Sequence, residues 1–343
     1  MSVLPPTRDD RVIWDIWTSV YHMPTVTVAD ELGTVAALSG QSMDTATLAA
    51  ALQVDARALH IHLGVLAGLG MVERREGLWR ATAVARTWLH PQAQGYYGPL
   101  IQRHGQRNSL HEQLLETLRT GQKPDSHQSA VDEWERGEMP SGLAAIIAAY
   151  MNAHSRAAAL AVADQPLFDS VGSVLDVGGG SAIFSIELAR AHVGLAATVM
   201  EIPAICAEAD AYIAAAGVTA QVRTQAVNMF TQPWPTGYGA HFLSNIFHDW
   251  SDATCLLLAR KSFDALPAGG YILLHEMLMD EDGCGPLTTA CFSMLMLQGT
   301  RGRQYTLTEL RGFLEAAGFV DVSSQTTGGG YYSLVSARKR EGN

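Results

Sequence analysis

The feature that most constrains the fold is a change of sequence pattern near Val171. From there on, short apolar runs such as 171–177 and 196–202 alternate with segments of helical spacing. Parallel strands need crossover connections, usually helices, so this alternation predicts a parallel sheet with right-handed crossovers. Two last runs, 320–327 and 331–339, flank a glycine triplet and predict a closing antiparallel hairpin. The pattern therefore predicts an α/β, Rossmann-like domain with a mixed seven-stranded sheet.

The first third of the chain has helical rather than alternating spacing. Residues 11–38 predict one helical stretch, and Thr45 and Asp55 are predicted to cap the two helices that follow it. Gly70 ends the second of these helices, and 71–82 predict a small β-hairpin. Helix, turn, helix and hairpin in this order look like a winged-helix module.

Later segments complete the predicted organisation. Its prolines and glycines predict a loop over 121–142, and the next segment, 142–165, predicts one long helix between two domains. We therefore expect a mostly α-helical, winged-helix-like dimerisation domain over 1–100, a helical linker and substrate cover over 101–165, and the Rossmann-like domain over 166–343.

The charge balance bears on possible partners. Asp and Glu outnumber Lys and Arg by 34 to 23, the net charge is −11, and no basic cluster stands out. The second helix of the winged-helix-like module offers only Arg57, His60 and His62 to a DNA groove, so we expect no nucleic-acid partner. A ligand-sensing DNA-binding regulator is a further alternative, but it needs a basic recognition face that this helix lacks.

Apolar segments and cysteines bear on location and assembly. No run of about 18 uncharged apolar residues predicts a membrane span, and the first residues have no apolar signal segment. The four cysteines include no C-x-x-C pair and predict free thiols, as in the cytoplasm. Ile13, Trp14 and Trp17 make the first helix more apolar than a small cover domain needs, which predicts a homodimer.

A glycine-rich turn follows the first predicted strand and opens a helix. Asp176 precedes the glycines at 178–180, and Ile183 occupies the place of the third glycine of a dinucleotide fingerprint. An acidic residue here suits a cationic ligand better than a pyrophosphate, and S-adenosylmethionine carries an ammonium and a sulfonium. Glu201 ends the next strand, where a carboxylate can accept both ribose hydroxyls. Together they predict binding of S-adenosylmethionine and none of NAD.

Three segments carry a resemblance to a known family: DVGGGS at 176–181, NIFHDWSD at 245–252 and ALPAGGYILLHEMLMDEDGCGPL at 265–287. They resemble the small-molecule, S-adenosylmethionine-dependent O-methyltransferases, which include plant caffeate-type enzymes, acetylserotonin O-methyltransferase and bacterial natural-product enzymes. The resemblance covers nearly the whole chain. It implies methyl transfer to a small acceptor of the secondary-metabolite type, with 166–343 as the catalytic domain.

The resemblance also implies roles for individual residues. His248 would be the general base, because an imidazole can take a hydroxyl proton near neutral pH, and Glu276 would orient it. Asn228 and Met229 would lie beside the adenine. The residues implied to hold the cofactor are Asp176, Gly178, Gly180, Glu201, Asn228, Met229, Ser244 and Asn245. The candidates for the acceptor pocket are Trp134, Met139, Met151, Asn152, Phe292, Met296 and Gln304.

The chain departs from the family pattern and leaves an alternative open. Gln304 stands where the family has a second catalytic glutamate, and Gln298 is polar in an apolar run. His248, Asp249 and Gln298 could instead bind a divalent metal, iron or zinc. That ion would chelate a 2-oxo acid and stabilise its enolate for methylation at the β-carbon. O-methylation, metal-assisted C-methylation and N-methylation all remain open from the sequence.

Overall fold

The computed structural model describes residues 8–105, 108–123, 131–328 and 330–340, without the side chain of residue 104. The chain forms two compact units, each assembled from separate segments. The sheet unit comprises Ser129–Met277 and Leu307–Asn343 with Met1–Arg11, and the helical unit comprises Val12–Gln128 and Leu278–Thr306.

The elements follow each other along the chain without long gaps. Those as far as Thr120 are α1 (Arg11–Thr18), α2 (His22–Glu31), α3 (Thr34–Gly40), α4 (Thr45–Leu52), α5 (Ala56–Gly68), β1 (Val72–Arg75), β2 (Leu78–Ala81), α6 (Ala83–Trp88), α7 (Gly98–Gly105) and α8 (Ser109–Thr120). The later ones are α9 (Val131–Arg136), α10 (Ser141–His154), α11 (Arg156–Ala163), β3 (Ser173–Val177), α12 (Ile183–Ala191), β4 (Ala196–Glu201), α13 (Pro203–Ala216), β5 (Val222–Ala226), β6 (Ala240–Ser244), α14 (Asp252–Ala265), β7 (Tyr271–Met277), α15 (Leu287–Gly299), α16 (Leu307–Ala317), β8 (Val320–Thr326) and β9 (Tyr332–Arg338). Short 3-10 turns lie at Ser19–Tyr21, Pro166–Ser170 and Phe247–Asp249.

Seven strands form one mixed sheet in the order β5-β4-β3-β6-β7-β9-β8. The pairs from β5 to β7 are parallel, whereas β9 pairs antiparallel with both β7 and β8. The predicted α/β fold, mixed seven-stranded sheet and closing hairpin are thereby confirmed. The order of strands reverses between β3 and β6, and open α/β sheets bind ligands at the carboxyl ends of strands beside such a reversal.

The helical unit begins with three short helices where one stretch was predicted. The 3-10 turn at Ser19–Tyr21 separates α1 from α2, and Gly33, with φ of +72°, separates α2 from α3. Glycine adopts this left-handed conformation without the steric cost that other residues meet, so it ends a helix readily. The prediction of one continuous helical stretch over 11–38 is therefore wrong.

The predicted helix caps are correct for one helix and shifted by one residue for the other. The Asp55 carboxylate accepts a backbone N–H of the first turn and caps α5, as predicted. α4 is capped in the same way by Asp44, so Thr45 is its first residue rather than its cap. The Thr45 hydroxyl accepts a hydrogen bond from the Trp79 indole at 3.0 Å instead. The predicted hairpin is present as the antiparallel pair β1–β2.

The helices α5 and α15 approach each other closely in the helical unit. A Cβ added to Gly68 would lie 3.0 Å from Cα of Leu287, and one added to Gly64 would lie 3.9 Å from Cβ of Ala290. Because the two glycines are four residues apart, they lie on one face of α5 and admit the neighbouring backbone. α15 supplies side chains to the same apolar core as α5 and α8.

The middle of the chain differs from its prediction. α9 lies within 121–142, where a loop was predicted, and residues 124–130 of that segment lie outside the described residues. The predicted helix over 142–165 is two helices, because α10 ends at Ser155 and α11 starts anew. α9, α10 and α11 belong to the sheet unit and α15 belongs to the helical unit. The units therefore divide the chain at other places than the predicted boundaries.

Two further properties concern the surface and the thiols. In the part of the chain that the structure describes, no helix is long and apolar enough to cross a membrane. All four cysteines are free thiols, as the sequence predicts.

Candidate active site

A cavity opens at the carboxyl edge of the sheet, beside the reversal between β3 and β6. Its lining comes entirely from the sheet unit, from the ends of β3 to β6 and from α9, α10 and α12. The space inside, together with the solvent at its mouth, is about 810 Å³. Of the residues predicted to hold a cofactor, six line the cavity, namely Asp176, Gly178, Glu201, Met229, Ser244 and Asn245.

The turn after β3 is shaped by its glycines. Gly178 and Gly180 have φ of +67° and +55°, a conformation that favours glycine. A Cβ on Gly179 would lie 2.6 Å from Cγ of Asp176, and one on Gly180 would lie 2.7 Å from Sδ of Met151. Gly180 does not line the cavity, but the turn requires it. The three glycines leave space that side chains would otherwise fill.

The carboxylate of Asp176 is buried and only half satisfied. Its Oδ2 accepts a hydrogen bond from the Ser185 hydroxyl at 2.7 Å, whereas Oδ1 has no hydrogen-bond partner among the described residues. Burial raises the pKa of Asp176 to about 6, and the hydrogen bonds from Ser185 oppose that rise. A buried carboxylate oxygen with no partner, in the wall of a cavity, is suited to bind a cationic or hydrogen-bond-donating ligand.

Glu201 stands at the end of β4 and is buried like Asp176. Its Oε2 accepts the backbone N–H of Ile202 at 2.9 Å and the indole N–H of Trp134 at 3.3 Å. Burial raises the pKa of Glu201 to about 7, while the hydrogen bonds from Ile202, Trp134 and the Gly180 backbone lower it. With Oε2 held by two protein donors, the other oxygen can accept the hydroxyls of a ribose, which is the predicted role.

The two residues predicted beside an adenine behave differently. Met229 lines the cavity, but Asn228 does not. The Asn228 amide nitrogen donates to the carbonyl of Glu135 at 2.9 Å and to that of Trp134 at 3.4 Å. Its Oδ1 accepts the backbone N–H of Phe230 at 2.9 Å. Because an amide carries donors that a carboxylate lacks, this side chain binds the α9 carbonyls, and the predicted adenine contact is not formed.

The strand β6 delivers two of the predicted residues to the cavity. Asn245 has φ of +56°, which is uncommon outside glycine and turns the chain sharply after Ser244. The Ser244 hydroxyl makes a 2.9 Å hydrogen bond with Nδ1 of His275, whose ring stacks on Tyr332 at 4.6 Å. Burial lowers the pKa of His275 to about 3. His275 is therefore a neutral core residue, directed away from its neighbour Glu276 as predicted.

The predicted catalytic pair meets at the end of β7. Nδ1 of His248 lies 3.0 Å from Oε2 of Glu276, and Nε2 of His248 lies 3.6 Å from Oδ1 of Asp249. Oε1 of Glu276 accepts the backbone N–H groups of Ile246 at 3.1 Å and Phe247 at 2.9 Å. One buried carboxylate thus holds both the imidazole and the backbone turn that carries it. Neither member of the pair lines the cavity, whereas Asp249 does.

The charges around His248 favour its protonated form. Burial lowers the pKa of the imidazole, but the carboxylates of Glu276 and Asp249 raise it by more, so the pKa lies above 6.5. Burial raises the pKa of Asp249 to about 6, with His248 lowering it and Glu276 raising it. A base whose pKa lies somewhat above 6.5 takes a proton readily near neutral pH.

The acceptor candidates of the sheet unit are divided. Trp134 and Met151 line the cavity, Asn152 does not, and Met139 is buried in a small apolar cluster beside α13. Sequence reasoning missed His154, which lines the cavity three residues after Met151. That spacing places both on one face of α10 and could have identified it. Burial, assisted by His248, lowers the pKa of His154 to about 4, so its ring is neutral.

The remaining candidates belong to the helical unit. Phe292, Met296 and Gln298 lie on α15, Gln304 follows it, and all four are buried. The Phe292 ring packs edge-on against Trp14 with centroids 5.0 Å apart. Within their own unit these side chains are part of the core.

A metal site gains no support from the geometry. Among the described residues, no group of three or more His, Cys, Asp and Glu side chains is placed to hold a metal ion. Nδ1 of His248 is occupied by Glu276, and Gln298 belongs to the helical unit. The arrangement of His248 and Glu276 is that of a general base and the carboxylate that orients it.

Comparisons with known proteins identify the family. The family model described as the O-methyltransferase domain matches residues 112–320. The 3-hydroxy-5-methyl-1-naphthoate 3-O-methyltransferase of Streptomyces sahachiroi is 33% identical over 323 residues, which are 93% of this chain and 92% of that protein. Acetylserotonin O-methyltransferase of Bos taurus is 36% identical over 166 residues, which are 48% of this chain and 47% of that protein.

A solved structure agrees with the fold over nearly the whole chain. The O-methyltransferase family 2 protein from Planctomyces limnophilus DSM 3776, in complex with apigenin, aligns with a TM-score of 0.84 and 23% identity over 98% of each chain. These comparisons give no support to the metal-assisted C-methyltransferase. The matches of sequence over more than half of the chain show that it belongs to the O-methyltransferase family and is an S-adenosylmethionine-dependent methyltransferase.

Proposed function

We propose that this enzyme methylates a hydroxyl group of a small aromatic natural product and that His248 is the general base. The observation that carries the proposal is the pair formed by His248 and Glu276, with 3.0 Å between Nδ1 and Oε2. The aromatic class of acceptor is inferred from the relatives, because their names specify a naphthoate, acetylserotonin and, for the solved structure, bound apigenin.

The cavity suits the chemistry of S-adenosylmethionine. Oδ1 of Asp176, which has no partner among the described residues, would hold the ammonium of the methionine end. Glu201 would accept the ribose hydroxyls, and the glycine turn would admit the ligand backbone closely. When bound, this cofactor supplies a methyl group on a positively charged sulfur, open to in-line displacement.

The residues of the chain then have to position the acceptor and remove its proton. Because Nδ1–H of His248 donates to Glu276, Nε2 is left as the unprotonated nitrogen that can take the hydroxyl proton. The carboxylate of Glu276 stabilises the imidazolium that results, as its effect on the His248 pKa indicates. The ring cannot turn away easily, because the same carboxylate also holds the backbone of the 3-10 turn.

The test is the substitution His248→Ala. We expect turnover to fall about 10²–10⁴-fold, the usual contribution of a general base. The affinity for S-adenosylhomocysteine, measured by calorimetry, should stay within about twofold, since the imidazole is not in the wall of the cofactor cavity. His154→Ala is a matched control, because it removes a neutral imidazole that does line the cavity and should change binding instead. Wild-type turnover in His248→Ala would contradict the proposed role.

We also infer that the helical unit, whose helix–helix–hairpin order is that of a winged helix, joins two copies into a homodimer. Support comes from the first helices, where Val12, Ile13 and Ile16 have exposed fractions of 69%, 67% and 66%. An apolar face of this kind on a soluble chain fits a surface that associates with an identical one. Trp14, by contrast, is buried against Phe292 and anchors the helix in its own unit.

Light scattering at micromolar concentration tests the dimer. Ile13→Asp should convert it to a monomer, because a charge would be buried without a partner in the interface. Val193→Asp is the control, since Val193 is fully exposed in the sheet unit and should leave the mass unchanged. A monomeric wild-type protein would contradict the inference.

The charge and the thiols support two more inferences. The net charge of −11 favours a protein that does not bind nucleic acid, which a gel-shift assay on random DNA would test. Four free cysteines fit the reducing conditions of the cytoplasm, which thiol labelling in intact cells would test.

A further inference from the structure

The segment 131–137, which we call the Trp134 segment, covers one end of the cofactor cavity. It consists of α9 and Gly137, and the side chains of Val131 and Trp134 line the cavity. The Trp134 indole N–H donates to Oε2 of Glu201 at 3.3 Å, so the segment contacts the carboxylate expected to hold the ribose. Trp134 also packs against the apolar cluster that contains Ile202.

The Trp134 segment is tied to the sheet by Asn228, which follows β5. The Asn228 amide nitrogen donates to the carbonyl oxygens of Glu135 and Trp134, at 2.9 and 3.4 Å. On its other side, Oδ1 accepts the backbone N–H groups of Phe230 at 2.9 Å and Thr231 at 3.2 Å. Both amide hydrogens and the carbonyl oxygen are therefore engaged, and the side chain bridges two segments about 95 residues apart in sequence.

The approach of the two segments depends on Gly137. This residue has φ of +75°, and a Cβ placed on it would lie 2.9 Å from Nδ2 of Asn228. A side chain here would be strained by the backbone and would also push the amide away. The Asn228 bridge and Gly137 thus form one fitted contact.

We propose that Asn228 is a positioning residue that fastens the Trp134 segment over the nucleoside end of the cofactor cavity. It acts through Trp134 and Glu201 and does not itself contact the cofactor. While the bridge is made, the indole keeps Glu201 in a fixed orientation by occupying Oε2, and the aromatic ring excludes water from that end of the cavity. This inference rests on the cofactor site of the proposed function and adds a residue that acts at a distance from it.

The bridge contributes to cofactor affinity rather than to the chemical step. The hydrogen bonds hold a cavity wall, and His248 and Glu276 lie outside that wall. Loss of the bridge should therefore raise the dissociation constant for S-adenosylhomocysteine and the KM for S-adenosylmethionine. The value of kcat at saturating cofactor and the KM of the acceptor should hardly change.

The experiment measures binding of S-adenosylhomocysteine by calorimetry in three variants. Asn228→Ser keeps a side-chain oxygen for the N–H groups of Phe230 and Thr231 but removes the donors to 134 and 135. We expect a dissociation constant about tenfold higher, the equivalent of one or two lost hydrogen bonds. Gly137→Ala should weaken binding similarly through the clash with Nδ2. Gln232→Ala is the control, because Gln232 bonds only the Asn228 backbone N–H, at 2.7 Å, and should change binding less than twofold.

The outcomes separate the bridge from the cofactor site. Wild-type affinity in Asn228→Ser, or an equal loss in Gln232→Ala, would overturn the bridge and leave the cofactor site intact. A fall in kcat with no change in the KM for the cofactor would overturn it as well. No binding of S-adenosylhomocysteine by the wild-type enzyme would overturn the cofactor site and the bridge together.

Discussion

Replacement of Glu276 by glutamine should inactivate the enzyme without unfolding it. The glutamate makes three contacts: Oε1 accepts the N–H groups of Ile246 and Phe247, and Oε2 lies 3.0 Å from Nδ1 of His248. A glutamine can keep its oxygen on the two backbone N–H groups. The opposite orientation would leave both without an acceptor, at a cost of about 1–3 kcal/mol each. The NH₂ group of the glutamine must therefore face His248.

That orientation reverses the hydrogen bond to the imidazole. Nδ1 can accept from the NH₂ group only if the ring proton moves to Nε2, and a protonated Nε2 cannot take the acceptor's proton. We expect kcat to fall about 10²–10⁴-fold in Glu276→Gln, as for loss of a general base. The free energy of unfolding should change by less than about 1 kcal/mol, whereas Glu276→Ala should cost about 2–6 kcal/mol because two buried N–H groups lose their acceptor.

The pH dependence of turnover provides a second measurement. In the wild-type enzyme, activity should fall as the pH drops through the His248 pKa, which lies above 6.5 because the carboxylates outweigh burial. In Glu276→Gln the charge of one carboxylate is gone while burial still lowers the pKa, so the remaining activity should fall at a lower pH. Wild-type turnover with an unchanged pH profile in this variant would refute the orientation assigned to His248.

Three further outcomes are expected. Binding of S-adenosylhomocysteine should weaken as the pH falls below about 6, where the Asp176 carboxylate takes up a proton, and calorimetry should find this pH dependence absent in Asp176→Asn. Urea unfolding of Asp55→Ala should give a free energy lower by about 1 kcal/mol, because α5 loses its N-cap. Burial lowers the pKa of His62 to about 4, below its unfolded value near 6.5. That residue's stabilising contribution is complete above pH 6.5 and is lost as the pH falls toward 4, so unfolding at pH 5 should be easier by about 2 kcal/mol, less so in His62→Leu.

The sheet and much of the site could be predicted from the sequence because their signals are local. Each buried parallel strand is a short apolar run, and its polar ending marks the edge of the sheet where a ligand binds. Asp176, Glu201 and Ser244 are found this way. The meeting of His248 with Glu276 follows from the same rule, since β6 and β7 pair in parallel.

What escaped the sequence depends on contacts between distant segments. The direction of the Asn228 amide is decided by carbonyl groups in α9, roughly 93 residues earlier, which no local pattern reveals. The assignment of α15 to the helical unit is of the same kind, because an apolar helix fits either unit until its partner is known. His154 differs from both: its spacing from Met151 was visible and was not used.

The place of α15 in the chain has a consequence for biosynthesis. Ribosomes deliver residues 12–128 first, but the core they enclose also needs Leu287–Gly299, which follow only after most of the sheet strands have been made. Until then the glycine-lined face of α5 stays open to water, and the nascent chain exposes an apolar groove of the kind that chaperones bind. The part of the protein that is translated first is thus completed late. A fragment ending at Gln128 would lack a core helix, so moving this unit into another enzyme requires transfer of both of its segments.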